Sequence, residues 1–226
     1  MIDDLPEIPR HVQVHDLAAL PSSWRRSLGA AGAAIGSDRE HLICVVGDPD
    51  SEATCALARE RTHVTMIVPA EALAVVEALR GTGRRVLKAL LHTLSDPSGL
   101  PADEGGALLP DDADLGHLPV DLTAEITLAR RRTLVYAAWV DGEPVSFAYA
   151  AGRSQRYFDC AVDTAPGARQ LGLATIVAAT MIRAERAAGR EAVWGAIEDN
   201  QASRRLAARL GFELVDALWV VEPLVH

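Results

Sequence analysis

The residues with the clearest chemical potential lie in the glycine-bearing turn Arg169-Gln-Leu-Gly172-Leu-Ala174-Thr175. A β-type run, Arg156 to Val162, leads into it through Pro166 and Gly167, and an apolar helical pattern follows at once. A strand, a glycine loop and a helix start make free backbone N–H groups and the positive end of a helix dipole face outward together. That arrangement binds anions, most often phosphate. Gly172 and Ala174 keep the loop open to close approach, and Arg169 adds positive charge.

The composition restricts what such a site serves. The chain has 226 residues, 49% hydrophobic and 23% charged, which predicts a folded globular protein able to bury a core. Its formal net charge of -9 argues against nucleic acid as a partner, because neutralising many phosphates needs a basic surface. One local positive site for a phosphate-bearing cofactor is compatible with that balance. Cys44, Cys55 and Cys160 are odd in number and lack ligand spacing, so neither a disulfide framework nor a metal site is expected. The acidic opening Met-Ile-Asp-Asp has no apolar signal core, and no apolar run reaches the ~20 residues a spanning helix needs. These features predict a cytoplasmic protein with no membrane partner; a homodimer is compatible with them.

In chain order, residues 1 to 40 suggest one or two short helices through an Ala/Leu-rich pattern. His41 to Val46 and His63 to Val68 read as strands, each followed by a helix, Ser51 to Arg61 and Pro69 to Leu79. The turn Gly47-Asp-Pro-Asp50 resembles a nucleotide loop only superficially, since Asp48 and Asp50 would repel phosphate. No internal repeat is visible. Residues 93 to 116, with their Pro, Gly and Asp content, predict a linker, dividing the chain into an N-terminal α/β domain (1–116) and a second domain (117–226). A helix over Asp121 to Arg130 is expected, with Asp121 or Thr123 at its start. Arg132 to Val140 and Pro144 to Ala150 form a hairpin across Asp141-Gly142, a dipeptide suited to tight turns. Strand 156–162, helix 171–188, strand 191–197, helix 201–210 and strand 212–221 complete the order β-β-β-α-β-α-β.

Arg169-x-x-Gly172-x-Ala174 resembles the pyrophosphate loop of GNAT-superfamily acyltransferases. The later block from Trp194 through Asn200 and Ser203 to Leu210-Gly211-Phe212 is similar to the same superfamily's strand end, Asn and closing helix. The resemblance spans roughly Leu118 to Pro223. It implies a mixed α/β sheet, with the GNAT fold in the C-terminal half and an α/β companion domain before it. It also implies acetyl-CoA as co-substrate, with no metal. The amides of Gln170, Leu171, Gly172, Leu173, Ala174 and Thr175 would then hold the pyrophosphate beside Arg169. Cys160, Ala161 and Val162 would line the pantetheine gap, and an N–H near Cys160 would polarise the thioester carbonyl. Cys160 itself reads as a small core residue rather than a nucleophile. Asn200 and Ser203 read both as helix-entry residues and as cofactor contacts.

The implied reaction is acetyl transfer to a primary amine of a small molecule by direct attack in a ternary complex. For the general base, Asp159 on the central strand comes first and Glu198 at the end of the next strand second; His117 is a weaker candidate. One departure matters: the Tyr that many family members use to protonate the leaving thiolate would fall on Ala207. That leaves two alternatives, a non-catalytic acyl-CoA-binding or regulatory module, and a protein N-terminal or lysine acetyltransferase.

Overall fold

A computed structural model describes residues 2–101 and 105–223. Ala102, Asp103 and Glu104, inside the expected linker, lie outside the described residues. Contacts separate the chain into two compact units, residues 2–91 with 195–200 and 215–223, and residues 92–101 and 105–194 with 201–214. Among the described residues, no helix is long and apolar enough to cross a membrane.

The first unit contains α1 (Val12–Ala18), β1 (Trp24–Ser27), β2 (Ala31–Ser37), β3 (Leu42–Asp48), α2 (Ser51–Glu60), β4 (Thr65–Pro69), α3 (Leu73–Arg80) and most of β5 (Val86–Thr93). Strands β1, β2 and β3 pair antiparallel, and β4 runs parallel to β3. The two-residue alternation of β3 sorts its side chains to two cores. Ile43 and Val45 pack with Leu57, Val75 and Leu79, whereas Cys44 and Val46 pack with Val14, Leu17 and Ile35.

Of the one or two short helices expected before residue 40, one forms as α1, whereas Trp24 to Ser37 gives the β1–β2 hairpin instead. The Ala/Gly-rich run yields to tertiary packing: a Cβ on Gly32 would stand 2.3 Å from the Pro49 backbone. The sheet therefore requires a bare residue there, which outweighs the helix preference of the neighbouring alanines.

The second unit contains β6 (Gly106–Leu108), α4 (Val120–Arg130), β7 (Val135–Val140), β8 (Glu143–Arg153), β9 (Tyr157–Thr164), α5 (Leu173–Ala187), most of β10 (Glu191–Ile197) and α6 (Gln201–Arg209). Strand β6 lies in the segment whose composition suggests a linker, and it pairs antiparallel with β7. The helix α4 starts after Pro119 with no side-chain cap, so neither Asp121 nor Thr123 caps it; the Thr123 hydroxyl donates to Leu115 O instead. Asp141 and Gly142 have φ of 52° and 85°, the left-handed pair that the β7–β8 turn requires. Ile126 and Phe147, both fully buried, anchor the core beneath α4, each stabilising the fold by about 2–3 kcal/mol.

The order β1-β2-β3-α2-β4-α3-β5 recurs as β7-β8-β9-α5-β10-α6-β11, with β11 covering Glu213–Val221. In each copy two antiparallel pairings precede a helix and a parallel strand. The closing strand of the second copy lies between β4 and β5, pairing antiparallel with β4. An internal repeat is thus present in topology although none is visible in the sequence.

Candidate active site

From Thr164 the chain makes a short 3-10 turn, Pro166–Ala168, extends at Arg169 and enters α5 through Gly172. Gln170 and Gly172 have φ of 68° and 82°. These left-handed residues turn successive amides the same way and form an anion-accepting concavity. Among the described residues, the amides of Gln170 to Ala174 have no intramolecular acceptor, whereas Thr175 N–H donates to Gly172 O at 3.0 Å. A Cβ built on Gly172 meets nothing within 4 Å, so the approach is open. The loop has no carboxylate; its one charged side chain, Arg169, is exposed and donates from Nε to Thr164 O at 3.3 Å. The donors, the 15-residue helix behind them and this charge balance suit a diphosphate.

The β9–β10 ladder has three pairs and ends at Val193↔Asp159. Beyond that point β9 continues along β8, with Cys160 opposite Ala150 and Asp163 opposite Phe147. The register irregularity falls on β8, between Ala150 and Gly152, so β9 stays regular. Alternation therefore puts Asp159, Ala161 and Asp163 on one face and Cys160 and Val162 on the other.

That first face holds a cluster absent from the sequence-based candidates. The Tyr149 hydroxyl donates to Glu125 Oε1 at 2.7 Å and approaches Asp163 Oδ2 at 3.4 Å. Burial, reinforced by repulsion from Glu125, raises the Asp163 carboxyl to about 6; the Tyr149 hydrogen bond and Arg169 oppose the rise. Burial and the Glu125 contact drive the Tyr149 phenol far up, so it remains a donor. Two acids four residues apart on one strand face were the available signal, but their partners come from α4 and β8.

Tyr149→Phe deletes the hydrogen bond that lowers the Asp163 pKa. The carboxyl is therefore expected to titrate about one pH unit higher, as read by carbon-13 NMR of the side chain. An unchanged titration would remove Tyr149 from the cluster.

Asp159 is half-buried and helps raise the Cys160 thiol. Cys160 is buried and held well above the ordinary thiol range, mainly by that burial, which suits a core residue rather than a nucleophile. Glu198 belongs to the first unit, where its carboxylate pairs with Lys88 at 3.1 Å and its N–H donates to Lys88 O. Asn200, in the same unit, closes a turn onto Ile197 O. Ser203 lies on α6 and accepts the Trp194 indole N–H at 3.0 Å, while that indole meets Phe212 edge-on. His117 Nε2 faces Pro144 O at 2.9 Å, a loop-anchoring contact. Ala207 is fully buried. Among the described residues, no group of three or more His, Cys, Asp or Glu could hold a metal.

Residues 130–220 match the family model described as GNAT acetyltransferase. A GCN5-related N-acetyltransferase-like protein from Streptococcus suis 89/1591 shares 20% identity, with a TM-score of 0.70 over 98% of this chain and 94% of that one. A GCN5-related N-acetyltransferase from Kribbella flavida shares 17%, with a TM-score of 0.61 over 96% and 95%. A tandem GNAT protein from the clavulanic acid biosynthesis pathway shares 18%, with a TM-score of 0.54 over 94% and 87%. No curated protein matches the chain. By the family model, residues 130–220 form a GNAT acetyltransferase domain, and the structural likenesses give the chain the GNAT fold.

Proposed function

We propose that the chain is an N-acetyltransferase that moves the acetyl group of acetyl-CoA to a primary amine of a small molecule, with Asp163 as general base. The match of residues 130–220 to the GNAT acetyltransferase family model supports acyl transfer from acetyl-CoA. The observation that carries the choice of base is the half-buried Asp163 carboxyl, raised to about 6 on the strand that runs into the anion loop. A carboxylate tuned toward neutrality accepts a proton from an ammonium more readily than one near 4.

The open amides of Gln170 to Ala174 hold the diphosphate, with Arg169 beside them. Bound acetyl-CoA supplies the activated thioester. The edge of β9 past Asp159 pairs with the pantetheine amides and offers an N–H near Cys160 to the thioester oxygen. Asp163 takes the proton from the acceptor's ammonium, directly or through one water. The freed amine attacks the acyl carbon, the C–S bond breaks with its electron pair leaving as thiolate, and the proton still carried by the new amide nitrogen passes to solvent water. A thiol with a pKa near ~8.5 departs without a proton donor, so alanine at 207 is tolerable. Asp159, at the last ladder pair, and Glu198, tied to Lys88, give way to Asp163 in this scheme.

The test is amine-dependent thiol release from acetyl-CoA by the purified chain, run beside calorimetric coenzyme A binding. Release with small amines supports the proposal. Coenzyme A binding with no release across the panel would replace it with a binding module. Release with lysine peptides or protein N-termini alone would replace it with protein acetylation.

A further inference from the structure

The first copy of the repeat has the strand order of the second but not its glycine loop. Its β3–β4 ladder also ends after three pairs, at Cys44↔Ile67. There a cavity of about 490 Å³ opens, bounded by Val45, Val46 and Gly47 of β3 and by Pro69 of β4. Its volume suits a small organic molecule. Its apolar body is built from Ile8, Val14, Val46 and Leu218.

The polar lining is one-sided. Arg10 donates to both oxygens of Asp216, at 2.5 and 2.6 Å, and to Glu71 Oε1 at 2.7 Å. One guanidinium thus faces two carboxylates, and the set carries a net negative charge. His11 also lines the cavity, with Nδ1 3.0 Å from Pro6 O. A carbonyl at that nitrogen fixes the proton there and leaves Nε2 as an acceptor. Burial holds the ring below its ordinary range, so it stays neutral near pH 7.

The phosphate end present in the second unit is closed in the first. At the start of α2, the Asp50 carboxylate accepts the Ala53 N–H at 2.8 Å, filling the place that α5 leaves open. Asp48, exposed two residues earlier, adds a second negative charge to the same turn. A ligand here therefore has an apolar body and a hydrogen-bond-donating cation, and it has no phosphate.

We propose that this cavity is a binding site for a small organic ammonium ion with an apolar body, separate from the acyl-transfer site and independent of that assignment. The probes are phenethylammonium, its near-isosteric anion 3-phenylpropanoate, and coenzyme A, each titrated into the isotope-labelled full chain. Saturable methyl shifts at Ile8, Val14 and Leu218 are expected with the amine, and binding of the anion about tenfold weaker or less. Glu71→Gln should weaken the amine about fivefold, and Ile8→Trp, at the exposed rim, should block it. Asp163→Asn should leave these shifts unchanged. The proposal is overturned if 3-phenylpropanoate binds as tightly, if coenzyme A produces the same shifts, or if nothing saturates by about 20 mM. Amine-induced shifts confined to β9 and α4 would also overturn it, by marking the amine as an acceptor in the second unit.

Discussion

Asp163→Asn is expected to lower kcat/KM for acetyl transfer by about 100- to 10,000-fold while raising the melting temperature at pH 8. The amide keeps the size of the carboxyl and its contact with Tyr149 but cannot accept the acceptor's proton. In the parent protein the base is competent only when ionised, so activity should rise with pH through about 6 and then level off. The acceptor's own ammonium titrates in both proteins. The ratio of parent to variant activity therefore isolates Asp163, rising through about 6 and flat above it.

The stability change has the opposite sign. The carboxyl lies above its ordinary 3.8 in the folded chain, so folding favours the protonated form. That contribution is present in full below 3.8 and is lost as pH rises through about 6. The gap corresponds to about 3 kcal/mol before solvent screening and about 1–2 kcal/mol after it. Asn removes the cost of burying the ionised group, so the variant should melt about 2–8 °C higher at pH 8 and show a smaller gain at pH 4. A residue with a merely structural role would lose activity and stability together. A kcat/KM within threefold of the parent would end the assignment.

The second half of the chain was legible because its boundaries carry chemistry. Asp141-Gly142 marks the β7–β8 turn, and Gly189 and Gly211, at φ of 85° and 88°, end α5 and α6. The turn ahead of α5 was legible for the same reason, since Gly172 adopts the left-handed conformation a glycine permits. The first half carries such marks too, at Gly29, Gly47 and Gly83, but they do not settle the runs between them. Ala31 to Ile35 reads locally as helix and becomes strand because Gly32 must approach Pro49. Strand β6 is three residues long, too short for alternation to show.

The Asp163 cluster is non-local. Tyr149 lies 24 residues from Glu125 and 14 from Asp163, so no window reveals that they meet. Asp159, four residues earlier on the same face, has the same signature along the strand. What distinguishes the two acids is the β9–β10 ladder, which pairs Asp159 with Val193 and goes no further. The repeat is hidden likewise, because it is conserved between the halves as pairing order rather than as residue types.

The contrast between the two helix starts provides the sharpest test of the anion loop. Helix α2 begins with Asp50, whose carboxylate occupies the Ala53 amide, whereas α5 begins with Gly172 and its first amides are open. Gly172→Asp would place a carboxylate at the start of α5, as Asp50 does at α2, but on a left-handed rather than an extended backbone. Aspartate is among the residues that tolerate a left-handed backbone, and the added Cβ meets nothing within 4 Å, so the fold should hold. A carboxylate at a helix start also satisfies an amide and complements the dipole. The left-handed backbone still strains any side chain at this position, so the melting temperature should fall by about 2–6 °C with either Asp or Asn. Coenzyme A should bind about 100-fold more weakly, close to 3 kcal/mol, because the carboxylate fills the donors and repels the diphosphate. Gly172→Asn offers the same hydrogen bond without the charge and should lose about tenfold. The gap between the two variants should shrink as salt is raised, since exposed charges are screened over about 8–10 Å at physiological ionic strength. Calorimetric titration of both variants at two salt concentrations separates the contributions. Equal losses in Asp and Asn would assign the effect to occupied amides, and an unaltered affinity in Gly172→Asp would remove the loop from the cofactor site.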